Sequence, residues 1–109
     1  MGFSRRRSFT QLSGVVEAGA TKEVDVIDFA AFHGVDYKIK LRTASADNVK
    51  IFDCRATKKD LDAIDTVFSV IGHSFDICCQ VSKVGSDIVL RLVNNEPFSL
   101  TYKVLKTLL

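Results

Sequence analysis

A chain of 109 residues, 47% hydrophobic and 26% charged, has the size and composition of one globular domain and is too short for two separate cores. No apolar run nears the roughly 18 residues that cross a bilayer as a helix, and the first ten residues lack the apolar stretch of a secretory signal. The net charge of +2 is uneven, because Arg5, Arg6 and Arg7 supply three of the fifteen basic residues and leave twelve against thirteen acidic ones elsewhere. A body of that balance argues against a nucleic-acid surface, which needs its cations in a stripe across the fold.

Residues 1–9, MGFSRRRSF, read as a basic arm, and Arg5, Arg6 and Arg7 as its contact with an acidic partner. From residue 10 to 109 the chain reads as β-type segments separated by turn signals at intervals of about ten residues, the spacing of an all-β sandwich or barrel. The first two strands are expected over residues 8–16 and 21–29. Residues 35–43, VDYKIKLRT, alternate Tyr37, Ile39 and Leu41 with Lys38, Lys40 and Arg42, which gives one buried and one wet face. Residues 49–57 form a fourth strand, followed by the polar stretch KKDLD, expected as an exposed connection with one helical turn. A fifth strand covers residues 63–71 and a sixth residues 75–83. The latter passes through VGSD, with Gly85 free to take positive φ, into residues 88–93. The last strand covers residues 98–108, with Pro97 at its first position, where a missing N–H is tolerated. About eight strands make an antiparallel β-sandwich, jelly-roll-like in size. Its expected core contains Ile39, Leu41, Ile51, Phe68, Ile77, Val81, Leu90 and Leu92.

The chemistry-bearing residues are scattered. Cys78 and Cys79 are adjacent on a strand, so their side chains point to opposite faces and cannot jointly ligate one metal. Cys79 shares a row with Ile77 and Val81 and is expected in the core, whereas Cys78 lies on the polar row of Asp76 and Gln80. Cys54, His33 and His73 sit on other elements, without the spacing of a zinc site, and no metal or other cofactor is expected. His73 adjoins Ser74 only in sequence, inside a turn, and reads as solvated. Asp60, Asp62 and Asp65 form a charge run with no Gly-rich or aromatic frame, and the glycines stand alone at expected strand ends. No phosphate loop or catalytic constellation emerges.

The succession VDYKIKLRT, VKIFDCRAT, IDTVFSVIG, FDICCQVS and DIVLRLVNNEPFSLTYKVLKTL resembles a β-sandwich domain that recurs in virion proteins of tailed bacteriophages, among them tail-fibre, baseplate and head-surface proteins. The features that carry the resemblance are a Tyr-containing strand (Tyr37), a strand with a polar end (49–57), a charged loop (58–62), an aromatic strand ending in glycine (Phe68, Gly72) and a final hairpin entered through residues 89–95. They span residues 22–107. The cysteines of FDICCQ and the arm are departures from that pattern. The resemblance implies a non-enzymatic virion structural protein, present in many copies on head or tail and assembled in the host cytoplasm. Its partners would be other virion proteins and further copies of itself, with no membrane. In that reducing setting Cys78 would be free or covered by a neighbour, and able to cross-link copies after lysis. The alternative reading is a small carbohydrate-binding module, opposed by the absence of Trp and by only two tyrosines, Tyr37 and Tyr102.

Overall fold

The computed structural model describes residues 9–109, which form two antiparallel sheets. The strands are β1 (Phe9–Val16), β2 (Thr21–Asp28), β3 (Gly34–Arg42), β4 (Val49–Lys59), β5 (Asp62–Gly72), β6 (Ile77–Val84), β7 (Asp87–Asn94) and β8 (Leu100–Leu108), with a single 3-10 turn over Phe29–Ala31. One sheet has the order β1-β8-β3-β4-β5 and the other β2-β7-β6. The expected eight-stranded sandwich is the observed fold.

Alternation decides the faces. On β3, Val35, Tyr37, Ile39 and Leu41 point inward and are closed to solvent. They meet Leu100, Tyr102 and Val104 of β8, Phe52, Cys54 and Ala56 of β4, and Ile88, Leu90 and Leu92 of β7 across the sandwich. Gly14 lies inside β1, opposite Tyr102, rather than at a strand end. A Cβ there would come within 2.6 Å of the Tyr102 hydroxyl oxygen, so the missing side chain is the space the ring occupies.

Three of the expected core residues are placed otherwise. The inward row of β4 is Phe52, Cys54 and Ala56, which turns Ile51 outward to half-burial beside Asp53 and Arg55. Phe68 pairs with Asp53 on that same outer face and is exposed. Ile77 packs against the core from the end of β6 and is half-buried. The stretch KKDLD is not a helical turn: β4 runs on to Lys59, and Asp60 and Leu61 alone make the hairpin turn, with Asp60 at φ 56° and Lys59 facing Asp62. Gly85 and Ser86 likewise form a two-residue turn, opened by Gly85 at φ 62°. Pro97 lies in the connection before β8, and β8 starts at Leu100.

The connection between β7 and β8 is tied down by Asn94, a fully buried polar residue. Its side-chain amide donates to the carbonyl oxygens of Val16 and Phe98, at 3.1 and 2.9 Å, and its Oδ1 accepts from the Glu96 N–H at 2.9 Å.

Candidate interaction surfaces

β5 is the structure's least ordinary strand. It is paired with β4 on one side, no strand among the described residues pairs with the other, and every one of its eleven residues except Ala63 is exposed. Ile64 is 53% exposed, Val70 53% and Ile71 64%, with Val67 and Phe68 also open. Natural edge strands are usually short or charged, because a free row of backbone N–H and C=O groups templates another chain's strand. β5 is long, and from Thr66 to Ile71 it carries no charge. Its protections are at the ends. At Ser69, where φ is 55°, two residues of β5 face one of β4 in a bulge. Nearer the turn, Asp65 leans across to the other sheet and its Oδ2 accepts from the Val81 N–H at 2.7 Å, capping the free edge of β6. Beside the bulge, Val67, Val70, Phe52, Ile77 and Cys79 line a crevice of about 60 Å³.

A second polar group binds the sheets together. A bulge between Glu23 and Asp25 throws Glu23 outward, where it pairs with Arg91 at 3.2 Å, and Asp25 inward. Asp25 Oδ2 accepts from the Tyr37 hydroxyl at 2.7 Å and from Lys106 Nζ at 2.9 Å. Burial, and then the hydrogen bond and charge of Asp25, push the Tyr37 phenol far above its usual range. A Tyr–Lys–Asp group of this kind resembles acid–base machinery in composition. It lies between the layers, however, with every buried polar side-chain atom among the described residues satisfied, and it works as a clamp.

The thiols divide as the strand geometry requires. Cys78 is exposed, Cys79 is half-buried and Cys54 is buried, and all three are free. Cys79 and Cys54 face each other across the sandwich. Their hydrogen bond, followed by burial, pushes the Cys79 thiol well above its ordinary range, the opposite of what a reactive thiolate needs. His73 packs its ring on Phe75 with centroids 4.7 Å apart, and His33 offers its backbone oxygen to the Lys58 N–H, so the two histidines serve different ends of the fold. No group of three or more His, Cys, Asp or Glu side chains among the described residues is arranged to hold a metal. Arg5, Arg6 and Arg7 lie outside the described residues. The exposed apolar character of β5 was missed by the sequence reading, although AIDTVFSVI bears apolar residues on both parities and so offers no wet face.

No protein-family model matches the chain, and no curated protein matches it in sequence. Solved structures do. The tailspike protein of Acinetobacter phage vB_ApiP_P1 matches 97% of this chain at TM-score 0.63 and 10% identity. The tailspike protein of Acinetobacter baumannii phage AM24 matches 92% at TM-score 0.55 and 10% identity. The chain spans 22% and 25% of the length of those two proteins. The likeness is one of fold, and it runs through nearly the whole sandwich.

Proposed function

We propose that this chain is a structural module of a tailed-phage particle, associated with the tail, that is held in place by contacts with other subunits. The observation that carries the reading is the near-complete match of its fold to a part of two tailspike proteins. The free, apolar edge of β5 supports it, since strand addition by a neighbour would both pair the open backbone and cover Ile64, Val70 and Ile71. The arm with Arg5, Arg6 and Arg7 supplies a second contact, to acidic groups of a neighbouring virion protein or of another copy. Cys78, exposed on β6, is the thiol through which copies would cross-link once reducing conditions are lost. The role is non-enzymatic. The carbohydrate-binding alternative loses both of its tyrosines, because Tyr37 and Tyr102 are buried and cannot stack a sugar ring.

Immunogold labelling of purified particles of the encoding phage tests this reading. Label on the tail is expected, and particles that lack the chain altogether would overturn it. Carrying Ile64→Lys together with Ile71→Lys, the protein should fold normally and incorporate less, because both changes act only on the open edge.

A further inference from the structure

β5 changes character along its length. With the turn before it, its first part is acidic through Asp60, Asp62 and Asp65, and from Thr66 to Ile71 it is uncharged. All three aspartates are exposed, and none makes an ion pair among the described residues. Elsewhere in the sandwich Asp25, Asp36 and Asp53 are each paired, with Lys106, Arg55 and Lys38. The cations nearest the acidic end do not take up its charge: Lys58 sits over the Phe29 ring, 4.3 Å from its centre, and Lys59 faces Asp62 across the hairpin without an ion pair. The arm reads in the reverse sense, from Met1 and Phe3 to Arg5, Arg6 and Arg7, apolar first and then basic.

The pairing registers place Phe9, Thr107, Asp36, Arg55 and Thr66 in one row across the large sheet. The chain therefore enters β1 at the same end of the sheet as the acidic end of β5, but four strands away. From Phe9 to Asp62 the separation is about 23 Å, set by four strand spacings across and four residues along. Arg5 is four residues from Phe9, so its backbone reaches at most about 14 Å, and a copy's own arginines cannot pair along its own β5. A second copy meets no such limit. We infer that residues 1–8 of a second copy add as a strand to the open edge of β5, antiparallel to it, with Arg5, Arg6 and Arg7 at the end that holds Asp60, Asp62 and Asp65 and Phe3 along the uncharged stretch. Only the antiparallel course matches both halves, since a parallel one sets Phe3 against the carboxylates. The added strand pairs the free backbone row, and guanidinium groups suit carboxylates better than any other cation does. The inference rests on the assembly reading above and names its partner: arm and edge are two halves of one joint between copies of this chain.

The test is sedimentation velocity of the full chain over a range of concentrations, together with amide hydrogen exchange along β5. The parent is expected to self-associate, less so as salt is raised, and its β5 amides to exchange more slowly as it does. Two charge-reversed chains then divide the contact. R5E/R6E/R7E reverses the arm, and D60N/D62K reverses the edge, with asparagine chosen because Asp60 lies at φ 56°. Each alone should associate about tenfold more weakly than the parent, because like charges now meet. Mixed in equal amounts they should recover the parent's association, since every arm then finds an edge of opposite charge, and that recovery also shows that both variants fold. A parent that stays monomeric, an arm-reversed chain that associates like the parent, or a mixture no stronger than its components would overturn the inference. Association lost in Ile64→Lys with Ile71→Lys but kept in the arm-reversed chain would also overturn it, by assigning the edge to some other strand. The assembly reading is judged separately by the label on the tail: a monomeric parent found there removes this inference alone.

Discussion

β3 and β5 flank the same strand, β4, and both are rich in apolar residues, yet one is the centre of the molecule and the other its margin. Every inward residue of β3 from Val35 to Leu41 is closed to solvent, while β5 leaves Ile64, Val67, Val70 and Ile71 open. Composition does not separate them. Position does: β3 lies inside its sheet, bonded to a strand on each side and faced by the second sheet, whereas β5 is the sheet's edge and meets only the edge strand β6 of the other layer. Apolar content is therefore a promise of burial that only a facing layer fulfils, and on β5 it remains open to a neighbour.

The largest effect that would break this contrast lies on the covered side. Leu90 of β7 faces the β3 row and is fully buried, so Leu90→Ala should cost about 2–5 kcal/mol in denaturant unfolding. A cost under about 0.5 kcal/mol, typical of an exposed position, would undo the face assignment. Next comes the clamp. Asp25→Ala strips Tyr37 and Lys106 of their shared acceptor and should cost about 2–3 kcal/mol, whereas a surface carboxylate such as Asp47 should cost almost nothing when removed.

The same clamp has a pH signature. The folded state holds the Tyr37 proton far above pH 10, while the unfolded chain releases it near its ordinary pKa of about 10. Above that pH the unfolded state binds fewer protons than the folded one, so stability falls as pH rises, by up to about 1.4 kcal/mol per unit. The raised Cys79 thiol acts in the same direction from about pH 8.5 upward. Urea midpoints from pH 8 to 11 should decline, and Tyr37→Phe should flatten the steeper part of the decline. The smallest effect belongs to β5: Ile71→Ser should change unfolding by less than about 0.5 kcal/mol while reducing association measured by light scattering. If Ile71→Ser destabilises the isolated chain as Leu90→Ala does, β5 belongs to the core after all.

The sequence displayed some of this plainly. VDYKIKLRT, with charge at every second position, admits one arrangement on a strand, and Ile39 and Leu41 are buried as that pattern demands. In VKIFDCRAT two adjacent apolar residues, Ile51 and Phe52, compete for the inside. The decision lies two residues on, where Asp53 and Arg55 share the parity of Ile51 and would have to be buried with it. β5 defeats parity altogether, because the bulge at Ser69 changes its phase midway. The Asp25 clamp joins positions 25, 37 and 106 through a second bulge, and no local pattern announces a contact over that separation. The outer face of the large sheet was half visible: Lys40 and Arg42 stand on the wet row of β3, but Lys103 becomes their neighbour only through the pairing of β3 with β8.

That pairing also sets an order of events during folding. β8, the last of the eight strands, is the second strand of the large sheet and the bridge between β1 and β3. While the chain is still being synthesised, β3, β4 and β5 can close as a meander and β6 with β7 as a hairpin, but β1 has no partner in its sheet until β8 arrives. Pairings that span almost the full sequence are entropically slow to close. Until β8 emerges the nascent protein thus carries two unpaired edges, on β1 and β3, flanking one gap, and a chaperone or a neighbouring subunit that occupies that gap too early would compete with β8.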